Sequence, residues 1–163
     1  MEIGKKDGIW FQLDEFDPKG NLLNLSFHLG NKLISDEPVY TLTYLPSVKK
    51  VIQKLNSNGF VNGELDFNQP AQLFTIINQG TELSELKYPN HLLLIDETID
   101  CYSIFILEKN DEVKIVWRCW DKNNCNIDHT LNEKYSVKLS KDELTSTLQK
   151  LLVALESITN HNK

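Results

Sequence analysis

KYSVKLSKDELTSTLQKLLVALESI, running from Lys134 to Ile158, changes its hydrophobic period halfway along. Tyr135, Val137 and Leu139 alternate with polar residues, the period of a half-buried strand. From Leu144 the apolar positions recur three and four apart, at Leu148, Leu151, Leu152, Leu155 and Ile158, which makes the stripe of an amphipathic helix. Between them lies Ser140-Lys-Asp-Glu143, a capping box in which the serine caps and the glutamate sits three residues on. A strand passing straight into a capped helix predicts a helix laid against a sheet. The rest of the sequence then has to supply the sheet.

Moving outward, Tyr102 to Leu107 is β-branched and aromatic-rich and reads as a central strand. Lys109-Asn110-Asp111 is a turn. In the strand that follows, Val113, Ile115, Trp117 and Cys119 share one face, and Lys114, Val116, Arg118 and Trp120 share the other. Asp121 to Glu133 is polar and Asn-rich and reads as a long loop, the kind of segment that commonly carries function. His91 to Ile95 reads as another strand.

The N-terminal third opens as a meander. Ile9, Phe11 and Leu13 line one face of a first strand, and Asp17-Pro18-Lys19-Gly20 turns the chain. Leu23, Leu25, Phe27 and Leu29 line the second strand, and Gly30-Asn31 leads to a short third one around Lys32 to Ser35. Tyr44, Leu45, Val48, Val51, Ile52 and Leu55 then form one helix stripe, with Thr43 as its cap, Pro46 in its first turn and Asn58-Gly59 after its end. Asn68 to Asn78 reads as a second helix opened by Pro70, with a further helical turn between Thr81 and Tyr88. The expected fold is α+β: one domain over residues 1–163, an antiparallel sheet of about six strands, and three helices packed mainly on one face.

Composition narrows the function. The chain has 163 residues, 40% hydrophobic and 25% charged, and carries a net charge of −6. With a pI near 5.2 it lacks the clustered cations that phosphate contacts need, so no nucleic acid is expected as partner. A basic protein partner fits, because complementary fields steer association. No apolar run is long enough to span a bilayer, and the opening residues lack the apolar core of a secretory signal, so a cytoplasmic address is expected. Three cysteines fit free thiols better than a disulfide framework.

Residues able to carry chemistry cluster between Trp117 and Thr130. Cys119, Cys125, Asp128 and His129 include the donor types of a zinc tetrahedron, but the two cysteines are too far apart for a tight knuckle. Cys125 and His129 could pair as thiol and base, yet both fall in the predicted loop, without rigid support. The carboxylates at 14/15, 36/37, 64/66 and 96/97/100 are either solvated or an acidic rim for a cationic partner. No phosphate-binding glycine loop, nucleophile elbow or zinc-protease helix is present. Trp10 and Trp120 fall out of phase with their apolar neighbours, so they either form part of an exposed patch or pack under a loop.

MEIGKKDGIWFQLDEF, YSIFILEKNDEVKIVWRCW and KYSVKLSKDELTSTLQKLLVAL together resemble a family of small bacterial immunity proteins, those of contact-dependent growth inhibition and related polymorphic toxin systems. The likeness lies in an M-x-I-G lead into an amphipathic strand, a late hairpin with an acidic turn, and the closing strand, cap and helix. It covers the two ends of the chain, about half its length. The cysteines and His129 stand outside that pattern. The resemblance implies a protein that is not an enzyme and needs no cofactor or metal. It implies binding in the producing cell's cytoplasm to the C-terminal toxin domain of a cognate effector, commonly a basic nuclease. Charge and predicted exposure, not the resemblance, select the residues expected at that interface: Asp96, Glu97, Asp100, Trp120, Asp121, Asp128 and His129. The alternatives are a small zinc- or thiol-dependent enzyme centred on Cys119, Cys125 and His129, or an adaptor for another protein.

Overall fold

In a computed structural model, which describes residues 1–17, 21–75, 86–95 and 97–160, the chain is α+β. Four strands, β1 (Glu2–Gly4), β2 (Ile9–Asp17), β3 (Leu22–Leu29) and β4 (Lys32–Tyr40), pair in chain order as an antiparallel meander. Helix α1 (Thr41–Asn56) follows. Three more strands, β5 (Tyr102–Lys109), β6 (Glu112–Cys119) and β7 (Lys134–Ser140), form a second antiparallel meander that leads into α2 (Lys141–Asn160). The strands therefore divide between two sheets, where the sequence suggested one.

Local chemistry explains the turns. Leu29 pairs with Lys32, leaving a two-residue loop in which Gly30 takes the left-handed position at φ 57°. Lys109 pairs with Glu112, and Asn110 and Asp111 between them are both left-handed, at φ 50° and 64°. That backbone twist matches the twist of the flanking strands, and Asn and Asp tolerate it best after glycine.

Both sheets and both helices share the main core. Phe11, Leu25 and Phe27 from the first sheet meet Tyr44, Val48 and Leu55 of α1, Leu144, Leu148, Leu151 and Leu155 of α2, and Ile104, Ile106, Ile115 and Trp117 of the second sheet. The α2 cap forms as expected on the serine side, with the Glu143 N–H donating to Ser140 Oγ at 3.1 Å. The Glu143 carboxylate does not reach back to the serine; it pairs with Lys5 at 3.1 Å. Helix α1 starts two residues before Thr43, with Tyr40 at the cap position, and Pro46 lies inside the helix.

Other expectations needed correction. Only Pro70–Phe74 of the expected second helix is helical, as a 3₁₀ turn, because Thr75 returns to extended backbone; residues 76–78 and most of the expected turn at 81–88 lie outside the described residues. Leu73 and Phe74 insert instead into a second apolar cluster with Leu65, Phe67, Leu92, Phe105, Leu107 and Val116. This irregular segment covers the outer face of the second sheet. It explains why β5 is buried along nearly all its length while standing at the edge of its sheet, not at the centre. His91 to Ile95 is not a ladder strand. It begins with a 3₁₀ turn, and the buried His91 donates Nδ1–H to the Ile106 carbonyl at 2.8 Å, with one isolated bridge at Leu92 and Phe105.

Candidate functional site

The loop after β6 is polar in sequence but firmly held. Cys119 ends β6, and the chain folds back over Asp121, whose backbone carbonyl accepts from the Asn124 and Cys125 N–H groups at 3.1 Å each. Its side chain takes the Asn124 amide at 2.6 Å. This turn brings Cys125 within 6.1 Å of Cys119, Cα to Cα, and their sulfurs are bonded. The expectation of three free thiols therefore fails for two of them, because the tight turn closes a six-residue separation that the spacing alone did not suggest. Cys101 remains a free, buried thiol, and burial pushes its pKa up to about 11.

Deeper in the loop stands His129, only 2% exposed. Trp117 donates its indole N–H to His129 Nε2 at 3.1 Å. The ring proton therefore sits on Nδ1, which faces Asp128 Oδ1 at 3.0 Å and the Tyr102 hydroxyl at 3.3 Å. Tyr102 in turn accepts the Asn126 N–H at 2.8 Å, and the Tyr135 ring packs edge-on to the imidazole. Burial lowers the pKa of His129, against the pull of Asp128, which keeps the ring neutral and suits it to accept from Trp117. Lys122 gathers the carbonyls of Asn126, Ile127 and His129, and Lys32 reaches across from β4 to the Asp128 carbonyl at 2.6 Å.

This network decides between chemistry and architecture. The two sulfurs are bonded to each other and both imidazole nitrogens are engaged, so the zinc and thiol readings lose the free donors they need. His129, expected at the surface, is an interior strut that gives the loop one conformation.

The remaining expected residues fall into two places. Asp100, Trp120 and Asp121 line one groove of about 510 Å³ with Glu37, Pro38, Thr98, Cys101 and Asn124. Ser35 and Thr98, whose hydroxyls lie 3.0 Å apart, tie β4 to the chain entering β5 along that groove. Three carboxylates and a tryptophan that is 49% exposed thus meet at one rim. Asp128 stands apart beside His129, exposed and 3.9 Å from Lys32. Glu97 opens a 3₁₀ turn (Glu97–Ile99), with only its backbone described, and Asp96 lies outside the described residues. Trp10 belongs to neither place: its ring stacks on His28 at 3.6 Å and its N–H donates to the Gly30 carbonyl.

Sequence reasoning named the 36/37 carboxylates as either solvated or an acidic rim but did not join Glu37 to the site, since nothing in its strand indicates a meeting with residues sixty positions on. It also missed Ile127, 92% exposed at the loop tip. A lone isoleucine in an Asn-rich stretch was a usable signal, because nothing local can bury it.

Two antiparallel meanders sharing a core with a pair of helices define the class: a two-sheet α+β fold. The chain is similar in structure to the crystal structure of CdiI from Burkholderia dolosa AUO158, with a TM-score of 0.64 over 94% of this chain and 99% of that one, at 17% identity. No protein-family model matches the sequence, and no curated protein matches it.

Proposed function

We propose that this chain is an immunity protein of a contact-dependent inhibition system, acting by direct binding to the C-terminal toxin domain of its cognate effector. The observation that carries the reading is the likeness in fold to CdiI, which spans nearly the whole of both chains. CdiI proteins are the immunity proteins of such systems. On this reading the protein works as one domain in the cytoplasm of the producing cell and is an inhibitor, not a catalyst. Among the described residues no helix is long and apolar enough to cross a membrane, which fits that setting.

The toxin is proposed to be a basic nuclease. The net charge of −6 would speed its capture, and speed matters when the target kills the cell. The proposed contact residues are Asp96, Glu97, Asp100, Trp120, Asp121 and Asp128, with His129 acting through the loop it holds. The carboxylates around Trp120 supply charge and the indole supplies apolar area.

The test is co-expression with the C-terminal domain of the large protein encoded directly upstream. Rescue of growth together with co-purification is expected. Toxicity unaffected by this chain would overturn the reading. Reversing the charges of Asp96, Glu97 and Asp100 together is expected to slow association at low salt.

A further inference from the structure

The bond between Cys119 and Cys125 brackets part of the candidate site. Trp120, Asp121 and Asn124 lie between the two cysteines, and all three line the groove that they share with Glu37 and Asp100. Other contacts hold the rest of the loop. Lys122 binds the carbonyls of Asn126, Ile127 and His129, Lys32 binds that of Asp128, and Trp117 holds the His129 ring. These contacts grip groups beyond Cys125. Inside the bracket the backbone rests on the turn at Asp121 and on the Trp120 N–H, which donates to the Cys101 carbonyl at 3.0 Å. The disulfide adds the covalent hold on the segment that faces the groove.

The two sulfurs differ in access. Cys119 is fully buried, whereas Cys125 is only partly so, and exchange begins at the sulfur a reagent can reach. Each sulfur also has a place when the bond is open. Cys125 Sγ lies 3.2 Å from the Cys101 carbonyl oxygen, an acceptor in position for a thiol proton. Cys119 sits among core residues, where a free cysteine packs as a small hydrophobe. Opening the bond leaves no buried charge and breaks none of the contacts that grip residues 126–129. On the proposed function the chain works in the cytoplasm, where protein disulfides are usually transient or redox-sensing.

We propose that Cys119 and Cys125 form a reversible redox pair, with Cys125 as the site of exchange, and that its state sets the affinity of the groove for the toxin domain. In the oxidising direction Cys125 loses its proton to water and its thiolate attacks one sulfur of a small-molecule disulfide, such as oxidised glutathione. One glutathione leaves as thiolate. Cys119, deprotonated in turn, attacks the Cys125 sulfur of the mixed disulfide and expels the second glutathione. Two electrons pass from the protein thiols to the reagent, and two protons end on the two glutathione thiols. Excess thiol reverses the sequence. The oxidised segment holds Trp120 and Asp121 in one arrangement, whereas the reduced segment has to be ordered at the moment of binding, which costs affinity. The inference rests on the immunity reading for its partner and adds a control on that same surface.

The experiment has two arms. In the first, the purified chain is equilibrated in glutathione buffers of graded redox ratio, quenched with acid, alkylated under denaturing conditions and weighed. Since the chain has three cysteines and Cys101 is free, one alkylated thiol is expected at the oxidised end, three at the reduced end, and a reversible transition between them. In the second, affinity for the upstream-encoded toxin domain is measured at both ends. Wild type is expected to bind about three- to tenfold more weakly when reduced. Cys125→Ser and Cys119→Ala, which both lack the bond, are expected to match the reduced wild type in either buffer. A pair that stays bonded or stays open at every ratio would overturn the inference, as would equal affinity in the two wild-type states or a redox response that survives in Cys125→Ser. Each of these leaves the immunity reading standing. No binding of the toxin domain in either state would overturn both.

Discussion

Histidine titration gives the clearest test at the scale of single residues. His28, His91 and His129 each have their pKa lowered in the folded chain, chiefly by burial, from an ordinary 6.5. As pH falls below about 6.5 the unfolded chain takes up protons that the folded chain resists, so stability falls as pH drops through the window below the unfolded pKa. Urea unfolding between pH 7.5 and 5.5 is expected to show a declining midpoint. His129→Phe is expected to flatten part of that decline, while costing about 1–3 kcal/mol at neutral pH through the orphaned Trp117 N–H. A midpoint independent of pH would show that these rings are not held neutral. A second test concerns Lys141, which donates to Glu108 Oε1 at 2.5 Å and to Asn58 Oδ1 at 2.6 Å, while the Glu108 side chain is only 3% exposed. Lys141→Met strands a buried carboxylate and is expected to cost roughly 3–5 kcal/mol, whereas changing both partners to apolar residues should recover most of it. Chemical denaturation of the single and double variants measures both.

The elements differ in how readily they could be read. The β2–β3–β4 meander, the β5–β6 hairpin and the β7–α2 junction follow from local signals: alternation, left-handed turn residues and a serine cap; β1, three residues long, was not read. What escaped was decided by distant partners. Leu73 and Phe74 have helical spacing, yet they are drawn into the apolar cluster on the outer face of the second sheet, and the segment stays irregular. The apolar run after His91 looks like a strand, but the imidazole takes the Ile106 carbonyl. Of the candidate site, Trp120, Asp100 and Asp121 were legible as polar and aromatic residues near turns. The place of Glu37 in the groove and the internal role of His129 were not, because each depends on tertiary neighbours. The 120–133 loop carries its own prediction. Hydrogen bonds from Lys32, Lys122 and Trp117 hold it independently of the Cys119–Cys125 bond, and so short a closed loop contributes only about 2 kcal/mol. Reduction is therefore expected to leave the fold intact and lower stability by about that amount. Loss of the near-ultraviolet signal of Trp117 on reduction would show that the disulfide, not the network, holds the loop.

For the whole molecule, the arrangement separates a buried scaffold from a charged, aromatic surface. Sheets and helices share one core, and the loop after β6 is fixed onto it before any partner arrives. A preorganised surface of this kind loses little entropy on binding. On the proposed function, the chain's net charge of −6 would steer a basic partner toward it. The most direct measurement is titration of the purified chain into the purified upstream-encoded toxin domain at low and at high salt. A one-to-one complex whose affinity weakens as salt rises, with the toxin inactive at equivalence, is expected. A toxin domain that keeps its full activity in the presence of an excess of this chain would contradict this expectation.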